Sequence, residues 1–237
     1  MDSPRAQSAL RKSRLKARII IVYREKMVNP LVAISNKLSR MADAGRDKKI
    51  SGRNLGVFVP TPFAKSHGAT GSQSAPYPGL AKVMEDFDPK PEDSFIDIGC
   101  GKGRVIAYLL SNNCPCKITG IELNPSIADI ARSWTSRFKN VEIIEGDAFG
   151  LDYNDYNVLF MYRPMETDTF KLFVNLLEMQ LTHKVRLYYY VDHQSGYYLN
   201  DRPGWKLIKR EDIYRVGGYY IHKEPQRFSV WEYVPDI

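Results

Sequence analysis

The sequence has few cysteines and lacks a long apolar run. Among 237 residues there are three cysteines, Cys100, Cys114 and Cys116, and no apolar stretch approaches the length of a membrane span. The early apolar run, residues 19–22, is short and is not followed by a small-residue cleavage site, so no signal peptide is predicted. Cys114 and Cys116 have no further ligands at zinc spacing. These absences predict reduced thiols, no bound metal and a cytoplasmic protein.

The net charge of +7 is concentrated at the N-terminus. Residues 1–53 contain 14 basic and 4 acidic side chains, whereas residues 54–237 contain 20 basic and 23 acidic ones. The chain therefore divides into a basic N-terminal arm (residues 1–53), predicted to be helical, and a slightly acidic domain (residues 54–237).

The second half of the arm has apolar residues at helical spacing, with Lys37 and Arg40 between them; they are Leu31, Ile34, Leu38 and Met41. One interpretation is a basic amphipathic helix that packs on the domain, or a solvated tail. Another is an arm for an anionic membrane surface, which would make the protein peripheral at a membrane. Nucleic acid is disfavoured because few aromatic residues lie among the charges. The Arg-rich, acid-poor composition also resembles a mitochondrial transit peptide. The oligomeric state is not predicted.

The most informative stretch is residues 94–106, which read SFIDIGCGKGRVI. A short apolar run around Asp97 predicts a buried strand, and residues 104–110 predict a helix. Between them lie Gly99, Gly101 and Gly103. A strand, a glycine-rich turn and a helix start allow a ligand to approach bare backbone, and the first turn of the helix offers free N–H groups.

Three later strand ends also carry polar or aromatic residues. A second predicted strand, residues 117–121, ends in Glu122, nineteen residues after Gly103, where an acid of a Rossmann-like sheet reaches ribose hydroxyls. A third, residues 141–144, is followed by Glu145, Gly146, Asp147 and Ala148. A fourth, residues 157–161, ends in Met161 and continues into Tyr162, Arg163, Pro164 and Met165.

Together these segments resemble class I S-adenosylmethionine-dependent methyltransferases, and the G-C-G-K-G-R loop most resembles bacterial members of unassigned substrate. The resemblance covers about residues 72–234. It implies S-adenosylmethionine as cofactor, with Asp97 near its amino group, Glu122 on its ribose, and Asp147 and Ala148 at its adenine. The remaining implied cofactor-binding residues are Gly99, Cys100, Gly101, Gly103, Met161 and Tyr77. In the resemblance, the Pro76-Tyr77 element folds over the cofactor; the alternative is an ordinary turn that enters a helix over residues 80–87.

The acceptor side of the site is less clear in the sequence. Amine methyltransferases of this class often carry N-P-P-Y or D-P-P-Y after the fourth strand, whereas this chain has Tyr162, Arg163 and Pro164. Arg163 replaces the side-chain carbonyl that would accept from an amine, and could instead hold an anionic substrate group. Tyr162 and Arg163 are the candidate catalytic residues. Residues 120–125 also resemble protein-lysine methyltransferases. His183 and His193 are candidate general bases, although a lone histidine is more often structural.

Two other interpretations compete with that of a methyltransferase. A nicotinamide-binding loop would have a third glycine at the position of Arg104, and its absence favours the methyl donor. The second alternative is an S-adenosylmethionine-binding regulatory or scaffold protein that has lost catalysis, which the unusual Arg163 keeps open.

The predicted fold is α/β: a doubly wound, mostly parallel seven-stranded sheet with one antiparallel strand. Strands and helices alternate through residue 191, and closing strands are predicted at residues 205–215 and 226–234. The predicted function is methyl transfer by in-line displacement to an unidentified acceptor, which is a small molecule, a lipid-linked substrate or a protein side chain.

Overall fold

The computed structural model describes residues 30–222 and 224–235. Six α-helices are found in this part of the chain: α1 (Pro30–Ser51), α2 (Ala64–His67), α3 (Tyr77–Val83), α4 (Arg104–Ser111), α5 (Pro125–Thr135) and α6 (Thr167–Gln180). The first half of the predicted arm, residues 1–29, lies outside the described residues. No helix among the described residues is long and apolar enough to cross a membrane.

Seven strands form the central sheet, in the order β3-β2-β1-β4-β5-β9-β6. Their bounds are β1 (Ser94–Ile98), β2 (Lys117–Glu122), β3 (Val141–Glu145), β4 (Val158–Tyr162), β5 (Val185–Tyr190), β6 (Trp205–Ile213) and β9 (Gln226–Tyr233). Only β9 runs antiparallel to its neighbours, β5 and β6. The predicted fold, with seven strands and one antiparallel strand, is confirmed. A separate two-stranded hairpin consists of β7 (Arg215–Val216) and β8 (Tyr219–Tyr220).

The sheet is covered on both faces, as parallel sheets require. Strands β1 and β4 are almost wholly buried, which explains why they read as continuous apolar runs in the sequence. One core contains residues of α3 and α4, and a second core contains residues of α6. The predicted start of α5 is also found: the Asn124 side chain accepts from the Ser126 N–H and Pro125 is the first helical residue.

Helix α1 packs against α4 and the β7–β8 hairpin. The face that packs is not the apolar one expected from the sequence. The buried positions are Val32, Asn36, Asp43, Asp47 and Ser51, whereas the apolar stripe of residues 31, 34, 38 and 41 is exposed. The described half of the arm is thus attached to the domain through polar side chains.

Candidate active site

A pocket opens at the carboxyl ends of β1, β2 and β4, the end at which open α/β sheets bind ligands. The cavity encloses about 1010 Å³, including space open to solvent, and is lined on one side by the glycine-rich turn. Seven of the residues predicted to bind a cofactor line it: Asp97, Gly99, Cys100, Gly101, Glu122, Asp147 and Ala148. The predicted catalytic Tyr162 lines it as well. The topology therefore brings the ends of separate strands to one site.

The turn between β1 and α4 needs its glycines. Gly99, Gly101 and Gly103 have φ values of +73°, +56° and +90°, which side chains rarely adopt. A Cβ at Gly101 would lie 2.8 Å from Ser72 Oγ, and one at Gly99 would collide with Pro164. The glycines thus allow the backbone to approach both the pocket and the segments that face it.

Asp97 lies at the base of the pocket and is fully buried. Its Oδ2 has no hydrogen-bond partner among the described residues. Burial raises the pKa of this carboxyl well above its usual range, and the nearby Glu122 carboxylate raises it further. A buried polar atom without a partner is costly, so a donor supplied by a ligand would stabilise it.

Glu122, at the end of β2, is oriented by two backbone bonds. Its Oε2 accepts from the Gly101 N–H at 2.9 Å and its Oε1 accepts from the Asn124 N–H at 2.9 Å. Burial raises the pKa of Glu122, and these backbone N–H groups oppose that shift. The carboxylate is therefore fixed between the glycine turn and the start of α5, and each oxygen has a further lone pair available to a ligand.

The adenine end of the predicted site is formed by the turn after β3. Asp147 is exposed, and its carboxylate accepts from the Phe149 N–H at 3.0 Å. Ala148 and Phe149 complete this wall of the pocket. The turn presents an acid beside apolar atoms, an arrangement suited to a flat ring with an exocyclic amine.

Residues 59–75, here called the covering segment, lie across the mouth of the pocket and contribute most of its remaining wall. The segment is joined to itself by a bridge between Val59 and Ser72, and to the loop after β4 by a bridge between Ala69 and Met165. The Thr70 N–H and Oγ1 donate to the carbonyls of Pro164 and Arg163. The sequence indicated only a Gly/Pro/Ser-rich connection before residue 72, because these partners lie more than ninety positions away.

Tyr77 does not line the pocket, contrary to the sequence prediction. It is buried behind the covering segment, where its hydroxyl donates to Asp47 Oδ1 at 3.0 Å. The guanidinium of Arg104 lies 5.4 Å from the centre of its ring. The physical reason is the presence of α1, whose buried acids attract the tyrosine hydroxyl away from the pocket.

Three more predicted site residues lie outside the pocket lining. Met161 is completely buried in the sheet, and Gly103 is the N-cap residue of α4, close to Trp134. Arg163 has φ +40° and its guanidinium pairs with Glu166 at 3.5 Å. Arg163 therefore does not line the pocket in which it was expected to hold a substrate anion.

Arg104 is the residue that replaces the third glycine of a dinucleotide fingerprint, and the structure gives its role. It is buried, and its Nε and Nη2 donate to Asp47 at 3.0 and 2.5 Å. Its Nη1 donates to the Ala75 carbonyl at 3.3 Å and lies 3.8 Å from Asp43. Burial raises the pKa of Asp43 to about 6, although Arg104 opposes the shift. Arg104 thus ties α1 and the covering segment to the first turn of α4.

Tyr162 is the candidate catalytic residue that reaches the pocket. Its ring centre lies 4.9 Å from that of Tyr190. Burial raises its pKa, against the effect of a hydrogen bond with Gln226, so the phenol stays neutral at physiological pH. Among the histidines, His183 Nε2 lies 3.1 Å from the Tyr156 carbonyl oxygen, which indicates a structural role. His67 lines the pocket, although no motif in the sequence indicated it.

The described residues contain no group of three or more His, Cys, Asp or Glu side chains that could hold a metal ion. The lining of the pocket includes backbone amides, three carboxylates, the Tyr162 phenol, the His67 imidazole and apolar walls. Such a set can bind a cationic, nucleoside-like ligand and exclude water from it.

Comparison with known proteins agrees with this geometry. Residues 95–178 match a family model described as a methyltransferase domain. The chain is 25% identical over 96 residues to a probable ribosomal RNA small subunit methyltransferase A of Methanosarcina acetivorans. This alignment covers 39% of this chain and 35% of that protein. It is 32% identical over 73 residues to the ribosomal RNA small subunit methyltransferase A of Persephonella marina, covering 31% and 27%. The chain thus spans about a third of the length of the curated relatives it matches.

Among solved structures, the chain is similar to an RNA methyltransferase of Salinibacter ruber in complex with S-adenosyl-L-homocysteine. The TM-score is 0.50 at 20% identity, and the match covers 69% of this chain and 95% of that one. At 20% identity, this similarity shows that the two chains share a fold. Residues 95–178 are thus similar in sequence to methyltransferase domains, and the chain shares its fold with this RNA methyltransferase.

Proposed function

We propose that this protein is an S-adenosylmethionine-dependent methyltransferase. The observation that carries the proposal is the buried Asp97 carboxyl, which has an oxygen without a partner among the residues that the structure describes and lines a pocket together with the glycine turn. A cationic amino group would supply the missing donor. In this arrangement Glu122 accepts from the ribose hydroxyls, and Asp147 with Ala148 holds the adenine.

The residues present fit that cofactor. When bound, the cofactor would supply an electrophilic methyl carbon, to which an aligned nucleophile would bond as the carbon–sulfur bond breaks and the thioether S-adenosylhomocysteine leaves. The chain's own contribution is to bind the donor, to align the acceptor and to exclude water. Gly99 and Gly101 allow close backbone approach, and the covering segment, held to Arg163 and Pro164 by hydrogen bonds, forms a wall that limits the access of solvent to the pocket.

The acceptor would enter between the covering segment and the loop after β4. Tyr162, as a neutral phenol, can orient an acceptor through a hydrogen bond, and Pro164 with Met165 provides an apolar surface beside it. Because Arg163 is paired with Glu166, anion recognition is not assigned to it. The relatives named for ribosomal RNA methylation support RNA as one acceptor to test, beside small molecules, lipid-linked substrates and proteins.

Calorimetry with S-adenosylmethionine and S-adenosylhomocysteine tests the cofactor site. We expect both to bind, and we expect Glu122→Ala to lose at least about tenfold in affinity, since hydrogen bonds to a charged acceptor contribute about 1.5–3 kcal/mol. Failure of the folded protein to bind either ligand would refute the proposal.

Labelled methyl donor, incubated with cell extract separated into RNA, protein, lipid and small-molecule fractions, tests the activity. We expect label in one fraction, and its loss with Glu122→Ala. Cofactor binding without transfer to any fraction would favour the alternative, a binding protein without catalysis.

A further inference from the structure

The outward face of α1, here called the outer face, is apolar and packs against no other element of the described part of the chain. Ile34, Leu38 and Met41 follow the spacing i, i+4, i+7, which places them on one side of the helix. They are 58%, 51% and 62% exposed. Apolar residues concentrated in this way on a surface helix indicate an interaction site rather than scattered exposure.

Contacts on the buried side of α1 keep its apolar side chains facing outward. Asp43 and Asp47 are buried against Arg104, and Asp47 also accepts from the Leu55 N–H at 2.9 Å and from the Tyr77 hydroxyl. The helix cannot rotate to bury its apolar stripe without removing these two carboxylates from their partners, which would be costly. The outer face is therefore held outward by the same contacts that attach the helix to the domain.

The exposed charged side chains of α1 are all of one sign. The two acids of α1 lie on the buried side, so its exposed charged residues are basic: Lys37, Arg40, Arg46, Lys48 and Lys49. Residues 1–29, which directly precede the helix, contain eight further basic residues and two acidic ones. An apolar strip with basic flanks and without exposed acids matches the composition of helices that lie in a membrane interface.

Charge complementarity distinguishes between the possible binding partners of the outer face. Residues 1–29 folded back onto the outer face would bring like charges together, and so would the same face of a second copy. Nucleic acid would neutralise the basic residues but would leave Ile34, Leu38 and Met41 in water. We propose that the outer face of α1 binds an anionic phospholipid bilayer, with these three side chains among the acyl chains and the lysines and arginines at the headgroups.

Flotation of the full-length protein with vesicles tests this proposal. We expect binding to phosphatidylcholine vesicles containing phosphatidylglycerol, weak binding to phosphatidylcholine alone, and a steep decrease as salt rises. The double variant Ile34→Glu/Met41→Glu should bind at least about tenfold more weakly, because it removes buried apolar surface and adds anionic charge. Its melting temperature and cofactor affinity should stay unchanged, since both positions are exposed.

A matched control is available on the opposite face of the sheet. Leu172 and Met179 of α6 are 62% and 78% exposed, so Leu172→Glu/Met179→Glu makes the same chemical change elsewhere, and vesicle binding should be retained. The proposal is overturned if the full-length protein ignores anionic vesicles at low salt, or if Ile34→Glu/Met41→Glu binds them as well as the unmodified protein. It is also overturned if that variant loses self-association or RNA binding instead of vesicle binding.

Discussion

The contact between Asp47 and Arg104 decides whether α1 is part of the domain or an independent arm. Asp47 is completely buried and accepts four hydrogen bonds: two from Arg104, one from the Leu55 N–H and one from the Tyr77 hydroxyl. Within residues 30–222 and 224–235, Asp47→Ala leaves the buried guanidinium of Arg104 with only the more distant Asp43 as an anionic partner. Breaking a buried ion pair from one side typically costs about 3–5 kcal/mol.

Urea unfolding of the full-length protein at neutral pH measures this cost. We expect a lower midpoint at an unchanged slope, equivalent to about 3–5 kcal/mol. Because Arg104 begins α4 next to the glycine turn, cofactor affinity should also fall. The control is Asp129→Ala, which removes a partner of an exposed i,i+3 pair with Arg132 at the same 2.5 Å separation, and which should change stability by less than about 1 kcal/mol.

Two results would refute the reasoning. If Asp47→Ala costs no more than Asp129→Ala, α1 is not held by buried charge and the domain begins after it. If Asp47→Ala is strongly destabilising but deletion of residues 1–51 is not, the cost comes from the unpaired Arg104 and α1 itself adds nothing to stability.

The remaining predictions concern the site and its supports. Because burial raises the pKa of Asp43 to about 6 in the folded state, its contribution to stability is present below about pH 4 and is lost as the pH rises through 6. Asp43→Asn should therefore stabilise the protein at pH 7, by at most about 3 kcal/mol at 1.36 kcal/mol per pKa unit. The difference in melting temperature between this variant and the unmodified protein should vanish near pH 3.5. An equal gain in melting temperature at both pH values would contradict this. Since the pKa of Asp97 is raised in the free protein, cofactor affinity should increase with pH as its carboxylate forms, and Asp97→Asn should weaken binding and flatten that dependence in calorimetry. Gly101→Val should abolish cofactor binding in a folded protein because its side chain would meet Ser72 at positive φ. The control Gly150→Ala, whose added Cβ has no atom within 4 Å, should bind the cofactor normally. Retained binding by Gly101→Val would show that the turn does not contact the cofactor.

The fold and the strand ends that line the pocket could be predicted from the sequence because their signals are local. A buried strand, a glycine turn and a helix start are adjacent in residues 94–106, and their positions require no knowledge of distant contacts. The strand ends at Glu122 and Asp147 then follow from topology, since parallel strands bring their carboxyl ends to one edge. The Asn124-Pro125 start of α5 is likewise encoded within three residues.

Other features depend on partners far apart in the sequence. The apolar stripe of α1 predicted the wrong packing face, because Arg104, 57 positions from Asp47, pairs with acids on the opposite side. The same network removes Tyr77 from the pocket that its motif implied. The covering segment is positioned by bonds from Thr70 to residues 163 and 164, beyond the reach of any local pattern. Periodicity determines which faces of a helix are apolar or polar, but buried charge pairing, which forms only in the folded chain, decided which face of α1 turns inward.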